Sequence, residues 1–289
     1  NDSWYVPSTI YAAEHNTIVT AVLKGSKGNK FLLILKKYNQ TFEPLTETEW
    51  VKYKPKHKLK AIPKLYPEGH FIPKKFIGKN VVHLPTVKTH GHTHMTGSMK
   101  NAFGGLITEK RHHSHKMIHE VLVELLKIQQ EIHPNIFTVM DGTVCGNGAG
   151  PRTMEPVIKD YILASNDPVA IDAISAKMMG FDPLRIKFIK LAHDQGLGIG
   201  DPKKIKIIGE DISDVNFNFH TEKSLVVFFD QVLRTKYPII EPLLFHTPLF
   251  KMCIFGSAFY HDYFWYPIVG KKKIKKFMKT NWGNLWKKY

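Results

Sequence analysis

Short β-rich runs alternate with amphipathic helical stretches through the middle of this chain, and this alternation restricts the fold more than any other sequence feature. It is typical of an α/β layer fold, in which helices cover the faces of a sheet. We predict strands at Phe31–Leu35, Lys79–Leu84, Phe137–Met140, Tyr161–Ala164 and Lys204–Ile208. We predict helices at Gly97–Ile107, His115–Glu131, Pro168–Met179 and Leu184–Gln195. The predicted fold class is therefore α/β, a layered sheet with flanking helices.

One helix has a clear start signal. Asp167 can accept hydrogen bonds from the free amides of a first turn, and Pro168 suits the first helical position, where its missing N–H costs nothing. We therefore expect this helix to begin at Pro168.

The end of the chain differs from the rest in charge and composition. The net charge is +16, and Lys271–Tyr289 contains eight lysines and no acidic residue, which leaves about +8 for the remainder. Residues 237–270 are rich in Phe, Tyr, Trp and Pro. We predict an α/β body over residues 1–220 and a helical, basic-aromatic C-terminal appendage over residues 221–289. Because the sequence begins Asn1-Asp2-Ser3 without an initiator Met, we expect that a preceding N-terminal segment is missing.

Cysteine usage and hydropathy restrict cofactors and location. Cys145 and Cys253 lie far apart and form no CxxC pair, so this chain alone cannot build an iron–sulfur cluster or a Cys-rich zinc site. The longest apolar run, around residues 250–256, is interrupted by Lys251 and is far shorter than the roughly 20 residues that span a bilayer. We predict a cytoplasmic protein without a transmembrane helix.

Polar residues follow the predicted strands, at the strand ends where open α/β sheets bind ligands. The segment after Lys79–Leu84 is the richest, and we expect Thr96 to cap the helix that follows it. Two lysines, several hydroxyls and free helix amides suit a phosphate or carboxylate, with both ammonium groups near solvent. The predicted ligand-binding residues are Lys88, Thr89, Thr96, Lys100, Asn101, Gly142 and Asp167. The alternative is a capped helix with two solvated lysines and no ligand.

His90 and Asp141 are the predicted catalytic residues. Imidazole and carboxylate suit general acid–base work once burial tunes their pKa values. The Asp141-Gly142 pair is also an ordinary turn former, and Asp167 also fits a purely structural cap.

Histidines are concentrated in one region, since eight of the sixteen lie between His83 and His119. His115 and His119 are spaced i, i+4, so a helix would place both on one face, a geometry that can hold a metal. We predict a divalent metal, zinc or a similar borderline ion, held by His90, His92, His115 and His119, with Asp141 as a further oxygen ligand. The alternative is a set of His-rich polar loops without a metal.

Four sequence blocks carry a family resemblance. HLPTVKTHGHTHMTGSMKNAFGGL, MDGTVCGNGAGP, ILASNDPVAIDAISAKMMGFDP and AHDQGLGIGDP occur in this order over roughly His83–Gly209. Together they resemble the family catalogued as domain of unknown function 362, and the chain resembles the C-terminal portion of its longer members. Many relatives are linked to iron–sulfur proteins, so the resemblance implies an iron–sulfur or redox partner protein for any redox role. It implies no general reaction.

Two classes of function follow from these features. The first is an enzyme or enzyme-like component that binds a small anionic ligand with Lys88, His90, Lys100 and Asp141. The second is a peripheral binding protein whose basic aromatic C-terminus contacts a membrane surface, with nucleic acid the less favoured partner.

Overall fold

The computed structural model describes residues 10–17, 20–237 and 239–289. The strands in this part of the chain are β1 Tyr11–Glu14, β2 Thr41–Pro44, β3 Trp50–Tyr53, β4 His70–Pro73, β5 Val81–His83, β6 Thr86–His90, β7 His94–Thr96, β8 Ile136–Ala149 and β9 Thr153–Ser165. The α-helices are α1 Val22–Gly28, α2 Phe31–Lys37, α3 Ala61–Leu65, α4 Ser98–Leu106, α5 Ile118–Ile132, α6 Pro168–Met179, α7 Lys187–Asp194, α8 Leu225–Lys236, α9 Ile240–Phe245, α10 Phe250–Phe259, α11 Lys271–Phe277 and α12 Asn281–Lys288.

The central sheet has five strands of mixed direction. β8 pairs with β5 and then with β6 in parallel, β6 pairs with β7 antiparallel, and β9 pairs antiparallel along β8. β1 and β2 form a separate parallel pair, and β3 and β4 form an antiparallel pair. The predicted α/β class is confirmed.

Helices on the sheet supply most of the core. α5 contacts α3, α4 and α7, and α6 contacts β8, β9 and α4. The buried apolar side chains of α5 recur at helical spacing, among them Val121, Leu122, Leu125 and Leu126, and they pack with Met140 of β8 and Phe188 of α7 in one cluster. This apolar packing fixes the β6–β7 hairpin and the start of α5 in a rigid frame.

The start of α6 confirms the helix predicted at Pro168–Met179. Asp167 accepts hydrogen bonds from the amides of Val169 and Ala170, and Pro168 occupies the first turn. Gly180 ends the helix in the left-handed conformation, which glycine adopts without a steric penalty.

Two predicted strands are wrong. Residues 31–35 belong to α2, which begins where the side chain of Asn29 accepts from the amide of Phe31. Leu and Lys, which form most of this helix, favour helices, and a short apolar run does not distinguish a helix from a strand. Lys204 is the last residue of a 3₁₀ turn at Pro202–Lys204, residues 205–208 form no strand, and Ile208 is 88% exposed, so it packs on no sheet.

Other predicted elements begin or end elsewhere, among them the strand predicted from Tyr161, which begins at Thr153, and the helix predicted from Leu184, which begins at Lys187. The helix predicted from His115 begins at Ile118, because Glu109–Met117 forms a 3₁₀ segment. The strand predicted to end at Met140 continues to Ala149, with a bulge between Gly142 and Val144. At the bulge, a Cβ on Gly142 would lie 2.9 Å from the carbonyl oxygen of Tyr161, so this close approach requires glycine.

The C-terminal region is helical, as predicted. A π-helical segment, Tyr260–Gly270, joins α10 to α11. The region packs on the sheet through Trp282, whose indole N–H donates to Asp160 at 2.7 Å, and through Arg152, which pairs with Asp262 at 2.9 Å. None of the helices in the described part of the chain combines the length and apolarity that a bilayer crossing requires. The boundary at residues 220/221 stays a prediction.

Candidate functional site

A cleft forms where α8 lies over the turn of the β6–β7 hairpin. The turn contains Gly91, His92 and Thr93, and the side-chain amide of Gln231 in α8 donates to the Gly91 carbonyl at 3.2 Å. A Cβ on Gly91 would lie 2.8 Å from Cγ1 of Val227, so the absence of a side chain lets α8 approach this closely. The hairpin and α8 therefore enclose one space.

The cleft has a volume of about 430 Å³ and several charged residues in its wall. Its titratable lining residues are His92, His115, His119, Lys116, Lys187, Lys223, Arg234 and Glu120. Glu120 pairs with Lys187 at 2.6 Å. Two further lining cations also lie beside carboxylates, Lys116 beside Glu241 and Arg234 beside Asp230 and Glu241, so most of the positive charge of the lining is balanced.

Three predicted metal ligands lie at this cleft, two of them in contact. The rings of His92 and His115 stack with centroids 4.5 Å apart and planes 18° apart. His119 lines the same cleft and stacks on Phe188. His90, the fourth predicted ligand, is buried beside the hairpin turn, with its ring centroid 5.8 Å from that of His92.

Asp230 of α8 completes the histidine cluster, although the sequence analysis did not identify it. Its Oδ2 lies 3.6 Å from Nε2 of His92 and 3.8 Å from Nδ1 of His115. The Nε of Arg234 lies 3.1 Å from both carboxylate oxygens. Asp230 and Arg234, spaced i, i+4 just after the apolar run Leu225–Phe229, were the signal that could have indicated it.

Burial and neighbouring cations keep the clustered histidines neutral. Desolvation, followed by the charge of Lys100, lowers the pKa of His92 to about 3 and that of His90 well below its usual range. Desolvation, followed by the charges of His92 and Arg234, also lowers the pKa of His115 well below its usual range. Neutral imidazoles offer lone pairs to metals or act as hydrogen-bond donors.

The two predicted ligand-binding lysines are desolvated, which corrects the expectation that their ammonium groups lie near solvent. Burial lowers the pKa of Lys88 and lowers that of Lys100 much further, and the charge of Lys88 adds to the effect on Lys100. Nζ of Lys100 donates to Oγ1 of Thr93 at 3.2 Å. The position of Lys88 and Lys100 beside the histidines explains why both charges lower the pKa of His90.

Thr96 does not cap α4, contrary to the prediction. Gly97 is the N-cap residue, and the carboxylate of Asp172 accepts from the amides of Ser98 and Met99 at 2.5 and 3.1 Å. The Oγ1 of Thr96 is buried without a hydrogen-bond partner among the described residues. Asp172 lies within the predicted helix Pro168–Met179, but its contact with α4 joins two elements far apart in the chain and has no local sequence signal.

Other predicted ligand-binding residues make local contacts. Thr89 is fully buried and donates to the carbonyl of Gly148 at 2.8 Å, which holds β6 against β8. Asn101 is exposed, and its amide donates to Nδ1 of His83 at 3.1 Å. Gly142 lies at the bulge of β8. None of these three residues lines the cleft, and neither do Lys88 and Lys100.

Asp141 and Asp167 face their own loops. The carboxylate of Asp141 accepts from the amide and hydroxyl of Thr143 at 2.9 and 2.6 Å, within β8 rather than after it. Asp167 caps α6, and its Oδ2 also accepts from the amide of Ile199 at 2.9 Å. Both carboxylates therefore stabilise local backbone, and the catalytic role of Asp141 and the ligand-binding role of Asp167 stay predictions.

Comparison with known proteins gives a family match. A family model described as a domain of unknown function, DUF362, matches residues 7–177, more than half of the 289 residues. No curated protein and no solved structure matches the chain. The matched range contains the hairpin and the 3₁₀ segment that supply His92 and His115, whereas α8 follows it.

Proposed function

We propose that this chain, which belongs to the DUF362 family, is an enzyme or enzyme-like component that binds a small anionic ligand, a phosphate or carboxylate, beside Lys100, behind the His92 and His115 wall of the cleft beneath α8. One observation carries the proposal. Lys100 is desolvated beside a second lysine, Lys88, and the only hydrogen bond its ammonium makes within the described residues goes to the hydroxyl of Thr93.

A buried ammonium without an acidic partner is costly, so a lysine at such a site either releases its proton or acquires an anionic partner. Lys88, whose charge lowers the pKa of Lys100, adds positive potential at the same position and would also attract an anion. An anion bound beside Lys100 would supply the missing charge, and Lys100 would gain a charge-assisted hydrogen bond.

His90 would donate a hydrogen bond to this ligand. Its Nδ1 accepts from the amide of His92 at 3.1 Å, which assigns the proton to Nε2 in the neutral ring. In this neutral form His90 would act as a hydrogen-bond donor to a bound oxygen, and the proton-transfer role predicted for it stays a prediction.

Calorimetric titration of the full chain with inorganic phosphate, pyrophosphate and citrate tests the proposal. We expect Lys100→Met to weaken binding roughly ten- to a hundredfold, the effect of losing a contact of about 1.5–3 kcal/mol. Lys64→Met, which removes an exposed lysine of α3, is the matched control and should leave binding unchanged.

The titration also has a proton readout. If the anion restores the charge of Lys100, binding takes up a proton, so the measured heat should depend on the ionisation enthalpy of the buffer. Absence of binding, or equal affinities in wild type and Lys100→Met, would contradict the proposal.

A second candidate function, association with an anionic membrane surface, is favoured by one feature of the C-terminal region. Met252, Phe255, Phe259 and Tyr263, which we term the aromatic stripe, are 68, 71, 55 and 74% exposed. Phe255 stacks on Phe259, and Phe259 stacks on Tyr263, so the side chains follow one face of the helix. The lysines of α11 follow after the rest of the π-helical segment, and exposed aromatic groups near lysines suit an interfacial segment.

A further inference from the structure

The cluster of His92, His115 and Asp230 has the spacing of a metal site. One ligand atom from each residue lies within 4.8 Å of the other two. The two nitrogen-to-oxygen distances, 3.6 and 3.8 Å, are too long for hydrogen bonds. They match ligands around one ion, because metal–ligand bonds of about 2.0–2.2 Å in a tetrahedron separate the ligand atoms by roughly 3.4 Å.

A buried unpartnered nitrogen points into this space. Nδ1 of His115 has no hydrogen-bond partner within the described part of the chain, and leaving such a group unsatisfied is unfavourable. A cation placed between His115 and Asp230 would satisfy this nitrogen, which makes the orphaned atom an independent sign of a missing ligand.

Neighbouring side chains hold the three donors in place, as supporting residues do around metal ions. Arg234 contacts both oxygens of Asp230 and lies 3.4 Å from Glu241, so its own charge is balanced by two carboxylates. The stack on His92 restrains the ring of His115.

We propose that His92, His115 and Asp230 bind a borderline divalent cation of the zinc type, with an open coordination position toward the cleft. Two imidazoles and one carboxylate suit such ions, and three protein ligands with a free position are typical of catalytic rather than structural sites. The opening faces the cleft because His92 and His115 line it. This site differs in part from the metal ligands predicted from the sequence. It retains His92 and His115, and its oxygen ligand is Asp230 instead of Asp141.

Metal binding to the full chain tests the inference. Protein freed of metal with a chelator and dialysed against zinc should take up one equivalent, measured by elemental analysis. Asp230→Asn and His92→Ala should each weaken binding by more than the roughly 10- to 100-fold that loss of an outer supporting residue costs. His119→Ala, which removes a histidine of the same cleft but outside the cluster, is the matched control and should bind zinc as wild type does.

A second measurement needs no substitution. X-ray absorption of the zinc-loaded wild-type chain should show two imidazole ligands with oxygen donors, so the inference can be judged even where a variant fails to fold. Zinc uptake below one equivalent, a different imidazole number, or unchanged affinity in both Asp230→Asn and His92→Ala would overturn it. Repeating the anion titration in the presence of a chelator distinguishes the metal site from the proposed anion site. Anion binding that persists without metal supports the anion site whether or not the metal site exists.

Discussion

Asp172 shows how a single buried charge connects two helices. It lies on α6, is fully buried, and accepts from the first amides of α4, which positions the helix that carries Lys100. A helix N-terminus stabilises a carboxylate through its free amides. Desolvation outweighs this effect and, with the charge of Asp167, raises the pKa of Asp172 to about 7.

The raised pKa predicts a pH-dependent stability. The ordinary pKa of an Asp carboxyl is 3.8, so between pH 3.8 and about 7 Asp172 is protonated in the folded state and ionised in the unfolded state. Its contribution to the free energy of unfolding is therefore fully present below pH 3.8 and is lost as pH rises through 7. At about 1.4 kcal/mol per pKa unit, the free energy of unfolding of wild type should fall by roughly 4 kcal/mol relative to Asp172→Asn between pH 4 and 8. Urea denaturation of both proteins across this range measures the difference.

The control for this prediction is Asp182→Asn, which replaces an exposed carboxylate that caps the 3₁₀ segment Pro183–Arg185. It should not reproduce the pH-dependent difference seen with Asp172→Asn. Parallel pH curves for wild type and Asp172→Asn would show that the buried carboxyl does not titrate in this range.

At the scale of elements, the fit of α8 on the hairpin depends on Gly91. We predict that Gly91→Ala forces α8 outward, because the added Cβ meets the branched side chain of Val227 at 2.8 Å. Such overpacking costs about 1–3 kcal/mol. The double variant Gly91→Ala/Val227→Ala should be less destabilised than the sum of the single variants, by about 0.5–3 kcal/mol. Urea denaturation gives the energies, and hydrogen exchange of the α8 amides reports the local loosening.

Gly104→Ala is the matched control for Gly91→Ala. A Cβ on Gly104, within α4, meets nothing within 4 Å, and alanine favours a helix interior more than glycine does. Its stability should equal or exceed that of wild type. Strict additivity of the Gly91→Ala and Val227→Ala effects would show that the two side chains do not meet.

Elements whose signals are local could be predicted from the sequence, whereas elements and contacts that depend on distant residues could not. The start of α6 follows from adjacent residues, Asp167 and Pro168, so a local rule was sufficient. The run Phe31–Leu35 satisfied both helix and strand patterns, and only its surroundings decide between them. The site was predicted in part, because His92 and His115 lie in a His-rich stretch, whereas Asp230 reaches them from a helix after the matched family region. The desolvation of Lys100 depends on the residues that the fold packs around it and has no local sequence signal.

At the scale of the whole molecule, the basic C-terminal region has two different faces. One face packs on the body, where the ring of Phe250 stacks on His112 with centroids 3.9 Å apart and Trp282 bonds Asp160. The aromatic stripe lies on the other face, exposed, and continues into the exposed Lys271 and Lys272. Because docking on the body leaves the stripe uncovered, the region can contact a second surface without detaching.

The last prediction concerns this surface. We expect the full chain to sediment with vesicles that contain phosphatidylserine more than with neutral vesicles, and less so at high salt, because each lysine near an anionic membrane contributes about 1 kcal/mol that salt screens. Phe255→Ser/Phe259→Ser should reduce this binding by removing apolar groups that enter the interface. The matched control, Leu84→Ser/Ile162→Ser, removes side chains that are 62 and 67% exposed elsewhere on the surface, and it should bind as wild type does. Equal binding by both double variants would contradict a membrane role for the stripe. If immobilised nucleic acid retains the wild type and the Phe255→Ser/Phe259→Ser variant equally, the lysines bind nucleic acid instead of a membrane.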